Sequence, residues 1–180
     1  MVVYHGTDID SAYLIKNNIL LDIGSKSVDF GPGFYVTTNI EMAKKWAKRK
    51  AIVRRKMPVV LIFEYDETAS NESVLKLEND LNWGRFIINN RNGYEYIEHM
   101  QYKVHNLDAK YPIVYGRIAD YDTVGLAQQL LADMQELSSI DEMLNPYYSY
   151  QYSFHTKESL KYLSISDKYY DVTNGGVKLW

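Results

Sequence analysis

The chain has 180 residues, 46% of them hydrophobic and 24% charged, with a formal net charge of −3; that suffices for one substantial core, and a single domain spanning residues 1–180 is expected. There is no cysteine, which excludes a disulfide framework and a thiolate zinc site, and His5, His99, His105 and His155 lack close metal-ligand spacing, so no metal is expected. Neither a basic leader nor an apolar run of membrane-spanning length is present, which predicts a cytoplasmic protein that does not engage a membrane.

In chain order, Val2, Val3 and Tyr4 are β-prone and are predicted to form a short strand ended by His5-Gly6. Asp8, Asp10 and Ser11 then open a helix through about Asn18. Gly24 to Gly33 holds three glycines and a proline and predicts a loop, followed by a strand at Phe34-Tyr35-Val36-Thr37. Asn39 caps a helix in which Ala43, Ala47 and Ala51 recur on one face, ending before Pro58. Residues 44 to 56 place eight basic side chains (Lys44, Lys45, Lys48, Arg49, Lys50, Arg54, Arg55 and Lys56) on or beside that helix with no acid, leaving −11 for the rest of the chain. Two readings are open: a solvated helix face, or a surface that guides a polyanion such as NAD or RNA.

Val59 to Tyr65 reads as a central strand. Trp83, Phe86, Ile87 and Ile88 predict a short helix, and Asn89-Asn90-Arg91-Asn92-Gly93 predicts a turn after it; Trp83 and Arg91 are candidate contributors to a site. Tyr111 to Ala119 is a further strand, and Asp122 or Thr123 caps a helix carrying Ala127, Leu130, Leu131 and Met134 as an apolar stripe. After Asn145-Pro146, Tyr150 to His155 alternates as a strand should, with Gln151, Ser153 and His155 on one face and Tyr152 and Phe154 on the other. Thr156 caps a short helix through Leu163, and the terminal residues form a last strand. β-prone runs among short helices, without regular βαβ alternation, predict an α+β fold.

Neither the Walker phosphate loop nor the dinucleotide glycine fingerprint occurs, and no Ser-His-Asp spacing or His-Glu-x-x-His helix is present. Three separated elements remain: Tyr4-His5-Gly6-Thr7, Asp29-Phe30-Gly31-Pro32-Gly33-Phe34-Tyr35-Val36-Thr37, and Gln151-Tyr152-Ser153-Phe154-His155-Thr156. Together they resemble the ADP-ribosyltransferase fold, in the branch of diphtheria toxin and the poly-ADP-ribose polymerases, whose three elements supply His, Tyr and Glu. They are similar above all to bacterial ADP-ribosyltransferase-like proteins with Tyr-His-Gly, Phe-Gly-x-Gly-Phe-Tyr and a late Gln-x-x-Phe-x-Thr.

That resemblance implies a split β-sheet core flanked by helices and NAD as substrate, with no metal. His5 would hydrogen-bond an adenosine ribose hydroxyl, the Gly6 backbone would hold the nicotinamide carboxamide, and Tyr35 would stack on the nicotinamide ring. Thr7 and Thr37 would add hydroxyls, and Gly31 and Gly33 would shape the loop, with Phe30 and Phe34 as packing residues. His5, Tyr35 and Gln151 are thus the expected catalytic set. Gln151 is neutral where those enzymes place an acid: it can orient the ribose 2′-hydroxyl but cannot ionise to stabilise the oxocarbenium-like transition state, which argues against poly-ADP-ribose synthesis. His155 is a candidate general base for the acceptor.

The expected function is mono-ADP-ribosylation of a protein or nucleic acid, as the toxin of a toxin–antitoxin or phage-defence system with an antitoxin protein as partner. A binding module for NAD or ADP-ribose without turnover is the alternative. An RNA 2′-phosphotransferase is a third reading, for which more arginines around a phosphate pocket are expected.

Overall fold

A computed structural model of the chain describes residues 1–69, 74–78, 80–119 and 149–180. The predicted helix carrying Ala127, Leu130, Leu131 and Met134 lies outside the described residues. Among those described, the fold is α+β, as expected, and is organised on an eight-stranded sheet.

β1 (Val2–Asp8) does not stop at His5-Gly6 as the sequence predicts, but runs straight into α1 (Ile9–Asn17). The reason is its partner. β3 (Pro58–Tyr65) is a continuous apolar strand that pairs with every residue of β1 in antiparallel register, from Val2 opposite Glu64 to Asp8 opposite Pro58. The ladder outweighs the intrinsic weakness of a strand glycine. Asp8 then caps α1 by accepting from the Ser11 backbone N–H, the ordinary role of a short acid at that position.

β2 (Phe34–Thr37) follows the glycine-rich loop, and α2 (Ile40–Arg54) begins at Asn39, whose side chain accepts from the N–H groups of Glu41 and Met42. Ala43, Ala47 and Ala51 are buried as the spacing predicted, and Ala43 and Ala47 pack on Val60 of β3 beside Tyr4. β4 (Val74–Lys76) precedes α3 (Leu81–Glu98). Here a prediction is corrected: the run from Asn89 to Asn92 is helical, and the break falls at Gly93, whose φ of 82° departs from the helix. The asparagine side chains bond instead of turning the chain. Asn90 and Asn92 donate to the carbonyls of Phe86 and Ile88 one turn back, and Asn89 donates to those of Tyr102 and Val104.

β5 (Ile113–Arg117) and β6 (Tyr150–Phe154) pair in antiparallel fashion. Thr156 caps a helix shorter than predicted, α4 (Lys157–Leu160), through a capping box with Ser159. The chain from Leu163 is drawn into a strand rather than a further helical turn, because β7 (Leu163–Asp171) pairs with β3. β8 (Val177–Leu179) closes a terminal hairpin with β7, where a single last strand was expected.

The strand order is β4-β5-β6-β2-β1-β3-β7-β8, antiparallel throughout except for β4 and β5. α1 and α4 pack on one face, where Val3, Phe34, Val36, Leu61, Phe63 and Phe154 form the main core with Ala12 and Leu160. The opposite face is covered by α2 over β1 and β3, and by α3, which packs on Val114 of β5. Beneath α3, Phe30, Trp83, Phe86, Ile87 and Val114 form a second core in which Tyr35 takes part. Phe30 and Trp83 are almost wholly buried, and each contributes roughly 2–3 kcal/mol through the apolar surface it removes from water. No helix among the described residues is long and apolar enough to cross a membrane.

Candidate functional site

The three sequence elements, far apart in the chain, lie on three neighbouring strands. β1 adjoins β2, and β2 adjoins β6. Thr37 pairs with Tyr4 on one side and with Gln151 on the other, and Tyr35 pairs with Ser153. Directly paired residues point to the same side of a sheet, so Tyr35, Thr37, Gln151 and Ser153 share one face with Tyr4 and Gly6, whereas His5 and Thr7 alternate onto the other face of β1, where His5 meets Phe34.

Between β1 and β2 the ladder forms a single register pair, Tyr4 with Thr37. Beyond it, a side chain takes over: His5 Nδ1 donates to the Tyr35 carbonyl at 2.6 Å. A carbonyl can only accept, so the ring proton sits on Nδ1 and Nε2 presents its lone pair. Lys50 Nζ lies 3.4 Å from that lone pair, and the imidazole stacks on Phe34 with ring centroids 4.5 Å apart. Burial, and then the Lys50 charge, bring His5 down to about 3, so the ring is neutral at neutral pH. The Lys50 ammonium, turned inward from an otherwise exposed residue, is itself brought down to about 8 by desolvation and by Arg54.

Gly6 has a steric reason to be glycine. A Cβ there would lie 1.9 Å from the Ala43 carbonyl oxygen and 2.8 Å from the Ala47 nitrogen, so the missing side chain is what lets α2 sit on β1. Thr7 is buried. The Thr37 hydroxyl donates to the Tyr150 carbonyl at 2.7 Å and accepts from the Asn39 N–H at 3.1 Å, joining β6 to the start of α2.

Tyr35 fixes the glycine-rich loop. Its hydroxyl donates to the Gly31 carbonyl at 2.6 Å and accepts from the Phe30 N–H at 3.0 Å. Burial, followed by the Asp29 carboxylate, pushes the phenol well above its ordinary value, so it remains protonated. The ring lies against Phe30 on one side and the edge of His155 on another. Gly31 adopts φ +88°, and a Cβ on it would strike the Asn106 carbonyl oxygen at 2.5 Å, so the loop is held to the segment after α3.

Gln151 meets a carboxylate. Its Nε2 donates to Asp29 Oδ2 at 2.8 Å, and the Ala119 N–H reaches the same oxygen at 3.1 Å. The other oxygen, Oδ1, accepts from Arg91 Nε at 2.9 Å and from Nη2. Arg91 also donates to the Ala119 carbonyl. Asp29 is therefore a buried carboxylate with four donors and one paired cation, the condition under which burial of a charge is tolerated.

His155 is a second neutral imidazole. Nδ1 donates to the Pro32 carbonyl at 2.7 Å, and Nε2 accepts from the Ser153 hydroxyl at 2.7 Å. Burial lowers it to about 4. Both nitrogens are engaged and both residues are buried, so this pair clamps the loop onto β6. Trp83 belongs to the core, with Nε1 donating to the Arg117 carbonyl at 3.0 Å. Sequence reasoning singled out Arg91 without its partner. The available signal was Asp29, an acid directly before an aromatic–glycine motif that packs inward.

A family model described as a protein of unknown function, DUF3990, matches residues 1–165. The chain belongs to the DUF3990 family. No curated protein and no solved structure matches it. The matched span contains all three elements of this DUF3990 chain as well as Asp29, Lys50 and Arg91. No group of three or more His, Cys, Asp or Glu side chains among the described residues is arranged to hold a metal ion. A hollow of about 240 Å³ between Met1, Val2, Glu64, Tyr65, Asp66 and Ser164 is lined by none of the candidate residues.

Proposed function

We propose that this protein is an NAD-dependent mono-ADP-ribosyltransferase, built on the split-sheet fold of that class, and that NAD is seated across β1, β2 and β6. The observation that carries this reading is the adjacency of the three elements. His5, Tyr35 and Gln151 come from positions separated by tens of residues, and chain folding puts their strands side by side with Thr37 bridging the outer two. The weak β1–β2 ladder, with His5 inserted where backbone pairing stops, supports the split of the sheet.

The chemistry follows from the groups. Heterolysis of the bond between nicotinamide and ribose leaves the electron pair on nicotinamide and positive charge on the ribose. An acceptor nucleophile of the target macromolecule then bonds to the anomeric carbon and loses a proton. Gly6 and Tyr35 would hold the nicotinamide, while His5, fixed in one tautomer, would offer the Nε2 lone pair to a ribose hydroxyl. Gln151 would accept from the 2′-hydroxyl, and electron density held on that oxygen favours the neighbouring cation. As a toxin with an antitoxin partner, the enzyme would modify a protein or nucleic acid of its own cell.

The test is incubation with NAD and a cell lysate, following free nicotinamide and modified macromolecules by mass spectrometry. The wild type is expected to release nicotinamide, and His5→Ala or Tyr35→Ala to lower kcat/KM by about a hundredfold. The second reading, a binding module without turnover, is favoured by the neutral amide at position 151. NAD binding in calorimetry with no nicotinamide released would establish it in place of the enzyme.

A further inference from the structure

We infer that Asp29 is a positioning residue: through its hydrogen bond to Gln151 it fixes the side-chain amide with Nε2 turned toward Asp29 and Oε1 offered to the ribose. The inference rests on the NAD reading and deepens it, because it says how a neutral residue can occupy the third position.

An unconstrained glutamine amide can present either its oxygen or its nitrogen, and the two choices are opposite in effect. An oxygen accepts from the 2′-hydroxyl and leaves electron density beside the forming cation; an NH₂ donates and withdraws it. Asp29 removes the choice. An ionised carboxylate only accepts, so Oε1 cannot face Oδ2 without two oxygens opposing each other, and Nε2 must take the 2.8 Å contact. Arg91 holds the carboxylate in place through Oδ1, and the Ala119 N–H fixes Oδ2 from the backbone. The Arg91 charge offsets that of Asp29, so the carboxylate acts through the amide it orients and does not supply the missing negative charge.

Substitution at both ends separates orientation from charge. In Asp29→Asn, Arg91 brings two N–H groups to the Oδ1 position against the single Ala119 N–H at Oδ2, so the amide oxygen stays with Arg91 and the new NH₂ faces Gln151, at the loss of the Ala119 bond. The amide then turns over and directs its own NH₂ at the substrate. The expected result is a fall in kcat for nicotinamide release of about tenfold or more, with KM for NAD changed by no more than about twofold. Gln151→Glu opposes two carboxylates and also lowers kcat. The double variant Asp29→Asn/Gln151→Glu pairs an amide donor with a carboxylate that keeps a second oxygen for the ribose, and is expected to recover most of the lost kcat.

Unchanged kcat in Asp29→Asn, or a double variant no better than the worse single one, would overturn the assignment. Absence of nicotinamide from the wild type would count against the NAD reading instead, and urea unfolding of the same four proteins then judges the pair. Destabilised singles with a recovered double support the Asp29–Gln151 orientation, and additive losses overturn it.

Discussion

Two histidines, one on each side of β2, are held by the same device to different ends. His5 and His155 each donate from Nδ1 to a backbone carbonyl, and burial is the leading cause that keeps each neutral. At His155 the other nitrogen is closed by Ser153, and the region around it is a polar lock formed by Asp29, Arg91, Gln151 and the Tyr35 hydroxyl. At His5 the other nitrogen faces Lys50 at 3.4 Å, in a region whose architecture depends on a steric fit between Gly6 and α2. The contrast teaches that only the His5 side leaves a lone pair facing a lysine ammonium, whereas the His155 side spends its hydrogen bonds on holding the loop.

The largest expected effect breaks the steric half. Gly6→Ala brings a methyl into the Ala43 carbonyl, and α2 has to lift from β1 at a cost of about 3 kcal/mol or more, read by urea unfolding. A change in stability below about 1 kcal/mol would mean that α2 is not seated as described.

The second effect tests both histidines together. Their folded values, about 3 and about 4, lie below the ordinary 6.5, so the unfolded chain binds protons first as pH falls. The stability associated with neutral rings is complete above about pH 6.5 and is lost as the pH falls toward the folded values, by about 1.4 kcal/mol per unit for each histidine. Unfolding at about pH 5.5 compared with pH 7.5 should therefore show a loss of roughly 3 kcal/mol. His155→Gln should halve that difference without removing it.

The smallest effect sharpens the polar half. Ser153→Ala leaves His155 Nε2 without its donor in a fully buried position, and a loss of about 1–2 kcal/mol is expected. The variant should leave the His5 titration, followed by NMR, where it is in the wild type.

Much of this was legible in the sequence where local signals agreed with the tertiary fold. The alanine stripe of α2, the Asn39 cap and the alternation at Gln151 to Phe154 all appear where periodicity and capping chemistry put them. Where long-range pairing decided, local signals misled. β1 passes through a glycine because β3 supplies a full partner, and α4 gives way to β7 for a similar reason. The asparagine run in α3 has turn-forming composition, yet its side chains are used to tie down residues 102–106. The candidate site divides in the same manner: its motifs could be found by eye, but the Asp29–Arg91 and Asp29–Gln151 partnerships join residues 62 and 122 positions apart. No local pattern encodes such a contact.

The central claim, that β1, β2 and β6 form one NAD site, is tested most directly by titrating NAD into isotopically labelled protein and following backbone amides by NMR. The account predicts shifts concentrated at His5, Gly6, Thr7, Tyr35, Thr37 and Gln151, with attenuation in Tyr35→Ala. Shifts confined to the hollow by Met1, Glu64 and Ser164, or no shifts at millimolar NAD, would contradict it.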